Sequence, residues 1–246
     1  MELTVLGCSG SFGAPAGGAC SGYLVRTAGS ALWLDCGNGT FANLQRAGAV
    51  PLTALIITHW HPDHCADIYG LHVALKYAHE AFPTTEPFPV YAPEGTESRL
   101  SQLVDGDWGG VFDWTAVGDG DDVTVNDCSL RFSRTAHPPP TNAVEVSADG
   151  KRLVYTADTG PDWSPEVFGP GADLVLSEAT FQRDNETSGL HLSARQAGEL
   201  ARAARARHLM LTHLWPGLDP NASVVEGSDA FGREVLLAAP LQRTRI

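Results

Sequence analysis

Residues 54–64 read ALIITHWHPDH, an apolar run that ends in three histidines and an aspartate. The apolar part is typical of a buried strand. The polar part has the pattern H-x-H-x-D-H, which occurs by chance in roughly one of a thousand sequences of this length. Because alternate residues at a strand end lie on one face, His59 and His61 can bind one metal ion together, and the next turn directs Asp63 and His64 toward a second. A solvated loop that is rich in histidine by chance is the alternative.

Three further candidate ligands lie farther along the chain, each after a predicted strand. They are His137, Asp158 and His213, after predicted strands at 130–135, 153–156 and 209–212. Taken alone, each would more often be a surface or capping residue. Together with the histidine cluster, they supply the ligands that a two-metal site needs. A carboxylate such as Asp158 can bridge two cations, and imidazole with carboxylate suits Zn²⁺, Mn²⁺ or iron.

Strand-like and helix-like segments alternate in both halves of the chain, which predicts an α/β layered domain. Strands are predicted at 3–6, 21–26, 31–35, 54–58, 90–92, 123–125, 130–135, 143–146, 153–156, 174–176 and 209–212. The spacing of apolar residues predicts a short helix around Leu44 and a longer one around Leu71. Ser193, with Gln196 three residues later, forms a capping box for a helix that runs to about Arg207.

The segment 105–122 is rich in Gly, Asp and Trp, which predicts a surface insertion or lid. Its aromatic residues include Trp108, Phe112 and Trp114. They either line a base-stacking lid or, as is more common, anchor the insertion to the domain. On the helix before this segment, His72 and His79 are predicted to be surface residues.

Composition limits the class of protein. The chain of 246 residues is 43% hydrophobic and 18% charged, ordinary values for a globular protein. No apolar run reaches the roughly 18 residues of a membrane span, and no repeat or linker divides the chain, so one domain at 1–246 is predicted. The net charge of −13 opposes a broad nucleic-acid interface. A small anion can still enter a site in which bound cations reverse the local potential.

The cysteines and the N-terminal sequence bear on the compartment. The five cysteines are odd in number and form no CxxC pair. The opening MELTVLGCSGS lacks the positive charge and apolar segment of a signal peptide. Reduced thiols, most of them in the core, and a cytoplasmic location are therefore predicted. A homodimer is also predicted, although the sequence itself does not determine the oligomer.

The complete pattern resembles the metallo-β-lactamase superfamily over essentially the whole chain. The resemblance is carried by LDCGNG with Asp35, the H-x-H-x-D-H cluster, AHP with His137, YTADTG with Asp158 and LTH with His213. It implies a four-layer αβ/βα sandwich with two divalent metal ions, in the first place Zn²⁺, at one edge. It assigns His59, His61 and His137 to one ion and Asp63, His64 and His213 to the other, with Asp158 bridging. It also implies that Asp35 is a buried acid that orients the ligand loop without touching metal.

Within that superfamily the sequence is similar to the RNase Z-like branch. SEAT at 177–180 resembles the HEAT segment of that branch, with Ser177 where His is usual, and HLS at 191–193 resembles its HST segment. Asp158 also fits phosphodiesterases better than true β-lactamases, which use Cys as the bridging ligand. Asp158 lies only 21 positions after His137, too few for the long arm of tRNA-processing enzymes. The chain is instead similar to actinobacterial-type cyclic-nucleotide phosphodiesterases.

The predicted function is a dinuclear-metal phosphodiesterase that hydrolyses small phosphodiesters, above all 3′,5′-cyclic nucleotides such as cAMP. Two cations lower the pKa of a water between them from about 16 to about 7, and the resulting hydroxide attacks phosphorus and expels the ribose 3′ oxygen. His191 is the predicted proton donor to that oxygen, oriented by Glu178, and Asp63 completes the predicted catalytic residues. A polar residue at a helix N-terminus, without chemistry, is the alternative for His191.

Two other interpretations stay open at this point. The first is an RNase Z-like ribonuclease, or another metallo-hydrolase of the same fold that acts on an ester or lactone. The second is a metal-binding interaction module without turnover, which the complete ligand set disfavours. The sequence does not determine the nucleotide or the physiological metal.

Overall fold

The computed structural model describes residues 1–15, 18–48, 51–78, 80, 82, 84, 87–104, 108–186 and 189–246. The strands in chain order are β1 (Glu2–Gly7), β2 (Gly22–Arg26), β3 (Ala31–Leu34), β4 (Ala54–Ile56), β5 (Phe88–Ala92), β6 (Phe112–Ala116), β7 (Asp122–Val125), β8 (Cys128–Arg134), β9 (Asn142–Ala148), β10 (Lys151–Tyr155), β11 (Leu174–Glu178), β12 (His208–Thr212), β13 (Leu236–Leu237) and β14 (Arg243–Arg245). The α-helices are α1 (Thr40–Arg46), α2 (Pro62–Cys65), α3 (Ile68–Tyr77), α4 (Thr96–Leu100), α5 (Ala194–Ala203) and α6 (Pro220–Phe231).

The strands form two seven-stranded mixed sheets, ordered β14-β1-β2-β3-β4-β5-β6 and β13-β12-β11-β10-β9-β8-β7. Successive strand residues point to opposite faces of a sheet. Leu34 and Ile56 therefore pack between the sheets with Leu176, whereas Trp33 and Leu55 pack outward against α1 and α3. Helices α5 and α6 cover the outer face of the second sheet. This order of helices, sheet, sheet and helices confirms the predicted four-layer αβ/βα sandwich.

Strand direction brings the candidate ligands to one edge of the sandwich. In the first sheet β3 and β4 are parallel, and in the second sheet β10, β11 and β12 are parallel. Strand β8 runs in the same direction as β10, because both are antiparallel to β9. The residues just beyond the carboxyl ends of these strands include Asp35, His59, His137, Asp158 and His213. Ligand sites of α/β folds commonly form at such an edge.

Local sequence patterns locate most elements. Every predicted strand is present, with both ends within about two residues of the prediction, an accuracy typical of boundaries. The capping box of α5 is present as predicted, with Ser193 and Gln196 bonded to each other's backbone. The helix ends at Ala203 rather than near Arg207. The elements β6, α4, α6, β13 and β14 were not predicted.

For its described residues, the prediction of a surface insertion or lid at 105–122 is wrong, because they belong to the sheets and the core. Residues 105–107 lie outside the described residues, and the remainder contains β6, which pairs in parallel with β5 and extends the first sheet. Trp108 and Phe112 are buried in the core beneath this edge, and Trp114 packs against it. These rings anchor the segment, as the alternative interpretation held, because an added edge strand needs apolar side chains to cover its face.

The prediction that His72 lies on the surface is also wrong. Its ring is buried, its Nε2 lies 3.1 Å from the Trp108 carbonyl oxygen, and it contacts the Trp108 ring edge-on. The segment before β6 covers this side of α3, so the helix buries a wider face than its apolar spacing indicates. The other histidine of that prediction, His79, lies outside the described residues.

All five cysteine side chains are buried, in agreement with the prediction that most lie in the core. Within the described ranges, no helix has the length and apolar character needed to cross a bilayer.

Candidate metal centre

The loop after β4 places four candidate ligands within six residues. The chain leaves β4 at Ile56, and the backbone of His61 is extended as the N-cap of α2. Pro62 then takes the first helical position, where a missing N–H costs nothing. The short helix carries Asp63 and His64 on consecutive positions. A strand end followed by one helical turn therefore directs the four side chains to two adjacent places.

The first ligand set consists of His59, His61 and His137 with Asp158, and we call it site A. The Nδ1 atom of His61 lies 3.0 Å from His59 Nε2 and 3.4 Å from His137 Nε2. The Asp158 Oδ2 atom lies 3.7 Å from His59 Nε2 and 3.8 Å from His137 Nε2. Three nitrogens and one carboxylate oxygen thus surround one small volume.

The second ligand set consists of Asp63, His64 and His213 with Asp158, and we call it site B. The Asp63 Oδ2 atom lies 3.3 Å from His213 Nε2 and 3.7 Å from His64 Nε2. The Asp158 Oδ1 atom lies 3.2 Å from His64 Nε2 and 3.5 Å from His213 Nε2. Asp158 therefore presents Oδ2 to site A and Oδ1 to site B, the arrangement that a bridging carboxylate requires.

Both sets fit a divalent cation. Zinc binds imidazole nitrogen at about 2.0–2.1 Å, so the ligand atoms of a tetrahedral site lie roughly 3.3–3.4 Å apart. Neighbouring ligand atoms in sites A and B are 3.0 to 3.8 Å apart, and those of site A all lie within 4.8 Å of one another. In addition, His64 Nε2 and Asp158 Oδ1 are buried without a hydrogen bond to any described residue, although they lie 3.2 Å apart. Buried polar atoms without such a bond are costly unless another group satisfies them, and a shared cation does so.

Outer contacts fix the ring orientation of four of the five candidate ligand histidines. Four of the imidazoles use Nδ1 to contact a protein oxygen, which leaves Nε2 directed at the centre. The contacts are His59 with Thr58 Oγ1 at 3.1 Å, His64 with Asp35 Oδ2 at 2.7 Å, His137 with the Leu190 carbonyl at 3.0 Å and His213 with Thr180 Oγ1 at 2.9 Å. His61 is the exception, because its Nδ1 atom faces the other nitrogens of site A.

Asp35 lies behind the ligands and is completely buried. Its carboxylate accepts hydrogen bonds from the Thr58 backbone N–H at 2.7 Å, the Thr58 hydroxyl at 2.9 Å and the Tyr155 hydroxyl at 2.9 Å. With His64 on the same carboxylate, Asp35 joins the start of the ligand loop to one ligand ring. Its position therefore suits a residue that orients the loop without touching metal.

The protonation states of the site A ligands suit the binding of a cation. Burial lowers the pKa of His59, His61 and His137, so these imidazoles are neutral at pH 7 and offer lone pairs. Burial alone would raise the pKa of the Asp158 carboxyl, but the neighbouring His213 and His64 outweigh it and hold that pKa well below its usual range. Site A therefore combines neutral imidazoles with an ionised carboxylate.

Site B is more strongly charged. Burial alone would lower the pKa of His64, but the Asp158, Asp35 and Asp63 carboxylates outweigh it and raise that pKa. Burial would likewise raise the pKa of Asp63, yet the adjacent His64 and His213 hold it below its usual range. Because a cation and a proton compete for the same imidazole nitrogen, metal binding here is coupled to proton release.

His191 and Glu178 form a pair next to both sites. The His191 Nδ1 atom lies 3.0 Å from Glu178 Oε1 and 4.0 Å from Asp158 Oδ2. Burial alone would lower the pKa of His191, but the Glu178 carboxylate outweighs it and raises the pKa to about 9. The His191 side chain keeps 20% of its surface exposed, whereas Glu178 is buried. Ligand atoms of Asp158, His191 and His213 also lie within 4.8 Å of one another, so His191 is near enough to serve as a ligand as well.

Thr180 contacts several of these groups, and the sequence pattern did not identify it as a site residue. Its hydroxyl donates to Glu178 Oε2 at 2.6 Å and lies 2.9 Å from His213 Nδ1. The only sequence signal was its place at the end of the SEAT segment. The backbone N–H of Ser11, which donates to Asp63 Oδ2 at 2.9 Å, had no signal beyond its small-residue loop.

Comparison with known proteins identifies the family of this chain. Residues 31–214 match the family model described as the beta-lactamase superfamily domain. The chain belongs to this superfamily. It is 33% identical over 218 residues to the "probable metallo-hydrolase YhfI" of Bacillus subtilis (strain 168), in an alignment that covers 87% of each chain. The predicted family is therefore confirmed.

Two further matches extend the comparison, and one of them is the solved structure of YhfI itself. The crystal structure of the metallo-beta-lactamase fold protein YhfI from Bacillus subtilis superposes with a TM-score of 0.86 and 29% identity, covering 99% of each chain. A ribonuclease Z of Natronomonas pharaonis is 27% identical, over 96% of this chain and 95% of that protein. The protein is thus a member of a metallo-hydrolase family with RNase Z-like homologues, and its His/Asp cluster is suited to metal.

Proposed function

We propose that this beta-lactamase superfamily protein is a dinuclear-metal phosphodiesterase whose substrates are small phosphodiesters, specifically 3′,5′-cyclic nucleotides such as cAMP. The observation that carries the proposal is the His191–Glu178 pair at 3.0 Å, beside a carboxylate shared by two ligand sets. Hydrolysis of a cyclic nucleotide releases an alkoxide, which needs a proton as well as charge neutralisation at phosphorus. The His191–Glu178 pair can supply the proton, and metal ions held by the two ligand sets would neutralise the charge at phosphorus.

The proposal includes two divalent ions, Zn²⁺ in the first place, with Mn²⁺ or iron as alternatives. His59, His61 and His137 would hold one ion and Asp63, His64 and His213 the other, with Asp158 shared. Such a pair of ions, when bound, polarises the phosphoryl oxygens and makes water at the site acidic enough to act as a nucleophile near neutral pH.

Within this proposal, His191 donates a proton to the departing ribose 3′ oxygen. Its Nδ1 atom is held by Glu178, so Nε2–H is the group left for the substrate. Glu178 is fixed in turn, because its carboxylate accepts from the Thr159 N–H at 2.7 Å and from the Thr180 hydroxyl at 2.6 Å. Glu178 is therefore proposed to position His191 and to keep it protonated.

Small substrates are favoured over polynucleotides by two observations. Between His137 and Asp158 the chain forms only the β9–β10 hairpin, so no arm extends from this position. The net charge of −13 also opposes the counterion release on which polynucleotide binding depends. A ribonuclease remains the second candidate, because ribonuclease Z is among the relatives. Accurate trimming of precursor tRNA at catalytic enzyme concentrations would favour that candidate and contradict the choice of cyclic nucleotides.

The decisive experiment compares two substrates on one variant. His191→Ala should lower turnover of cAMP by about 10²–10⁴-fold, the usual range for a general acid. The loss should be much smaller on bis(p-nitrophenyl) phosphate, because p-nitrophenolate leaves without a proton. His208→Ala, an exposed histidine at the start of β12, serves as the matched control. An equal loss on both substrates would reject the proton-donor role, and a loss of bound metal would make His191 a ligand.

We further propose that residues 1–246 act as one domain, in the cytoplasm, as a homodimer. The odd number of cysteines, all of them buried, supports a reducing compartment. Sedimentation equilibrium of the metal-loaded protein measures the oligomer directly.

A further inference from the structure

An apolar cavity of about 240 Å³ lies at the same edge of the sandwich as the metal centre. Its walls come from the loop after β1, which contributes Ser9 and Pro15, and from the loop after β12, which contributes Leu214, Trp215 and Leu218. None of the described side chains that line it is charged. A phosphate is therefore poorly suited to this cavity, whereas an uncharged ring is well suited to it.

The cavity and the metal centre are built from the same two chain segments. Leu214 directly follows the site B residue His213, and its carbonyl accepts a hydrogen bond from the Gly10 N–H at 3.0 Å. The next residue along, Ser11, donates its backbone N–H to Asp63 Oδ2 at 2.9 Å. Residues that contact or form site B and residues that line the cavity are therefore only one or two positions apart along each of the two segments.

Trp215 presents an aromatic surface to this cavity. Its side chain is 42% exposed, although large apolar rings are usually covered, and its backbone N–H donates to the Thr180 carbonyl at 3.2 Å. Phe12, itself 51% exposed, contacts the indole edge-on, with ring centroids 5.8 Å apart and an interplanar angle of 88°. Phe12 is not among the cavity-lining residues, so it supports the indole from outside the cavity.

We propose that this cavity binds the heterocyclic base of the nucleotide substrate, with Trp215 stacking on the base and Phe12 positioning Trp215. The inference rests on the proposed function, because it takes the metal centre as the phosphate site. Pockets that enclose a whole small molecule have volumes of about 300–1,000 Å³, so the cavity suits a ring system rather than a complete nucleotide. Because every base has an aromatic face, stacking here would accept several bases.

The test compares a cyclic nucleotide with the corresponding ribose 3′,5′-cyclic phosphate that lacks a base. Trp215→Ala should lower kcat/KM for cAMP by about 5–150-fold, the effect of losing one stacked base, chiefly through KM. The loss on the abasic substrate should be clearly smaller. Trp215→Phe should restore most of the activity, and Phe12→Ala should show a weaker form of the Trp215→Ala effect. Tyr77→Ala removes an exposed aromatic ring of α3 and is the matched control, with unchanged kinetics.

The outcomes separate the two proposals. Suppose that wild type hydrolyses cAMP. If Trp215→Ala lowers kcat/KM equally for both substrates, or does not lower it for either, the base-binding role is overturned and the proposed function stands. If wild type hydrolyses neither substrate, the proposed function fails, and calorimetric binding of 5′-AMP to the metal-loaded proteins decides the base site. If Trp215→Ala binds 5′-AMP as tightly as wild type does, the base-binding role is overturned. A change from dimer to monomer in the Phe12 and Trp215 variants would also overturn the base-binding role, because these two rings would then belong to an interface between copies of the chain.

Discussion

Replacing Gly160 with alanine should displace the segment that carries His191. A Cβ atom at Gly160 would lie 1.8 Å from the Gly189 carbonyl oxygen and 3.3 Å from the Ala136 carbonyl oxygen. The Gly160 N–H is also bonded to that Ala136 oxygen at 3.0 Å, which holds the backbone in place on one side. The chain at 189–191 must therefore move by roughly 1–2 Å to restore van der Waals distance.

Such a movement affects two groups of the site at once. His191 is two residues from Gly189, and the intervening Leu190 carbonyl lies 3.0 Å from His137 Nδ1. A displacement of about 1 Å can lower an enzymatic rate about 100-fold. That change corresponds to about 2.7 kcal/mol of activation free energy. We therefore expect kcat for cAMP to fall about 100-fold or more in Gly160→Ala.

The assay is steady-state hydrolysis of cAMP, with metal content and thermal unfolding measured on the same samples. Gly189→Ala is the matched control, because a Cβ atom there would meet no described atom within 4 Å and its φ is not in the left-handed region. It should retain most of the activity. Wild-type kcat together with a wild-type unfolding temperature in Gly160→Ala would refute the argument, as would equal losses in both variants.

Further predictions follow from the two ligand sets and the His191–Glu178 pair. Asp63→Ala should lower the metal content from about two ions per chain to about one and reduce turnover far more than thermal stability. Metal analysis and calorimetry measure these effects, and full activity of the variant would reject site B. Asp35→Asn can keep its left-handed backbone, with φ of 55°, but should weaken metal binding by about 10–100-fold in a chelator competition. Unchanged affinity would show that the buried charge is irrelevant. The pKa of His191 is raised to about 9, so the protonated donor is lost as pH rises, and turnover of cAMP should fall at high pH. This alkaline decrease should be missing with bis(p-nitrophenyl) phosphate; its presence there would assign the titration to another group.

The sequence alone was sufficient to predict the family, eleven of the fourteen strands that the structure describes and the residues gathered at the metal centre. His59, His61, Asp63 and His64 lie in one short loop, so their proximity follows from local backbone geometry. The other candidate ligands stand at strand ends, and strands that run in one direction end at one edge of a sheet. Both rules depend on spacing along the chain, which a single sequence displays.

Helix α6 shows where such spacing fails. Its buried residues are Ser223, Gly227 and Phe231, so its inner face carries little apolar periodicity. Small residues are needed there because α5 approaches closely: a Cβ atom at Gly198 would lie 2.6 Å from the Gly227 carbonyl oxygen. The pattern reflects the neighbouring helix, which the local sequence does not reveal.

The remaining features were decided by the tertiary structure, because they join segments that are far apart in the chain. The burial of His72 depends on the edge strand β6, and the position of His191 depends on the contact between Gly160 and Gly189. The cavity beside Trp215 likewise exists only because the loop after β1 reaches the loop after β12. Hydrophobic periodicity reports which face of one element is buried, but it contains no information about which distant segment covers that face. The sequence therefore determined the candidate ligands and the fold, and packing determined the surroundings that orient them.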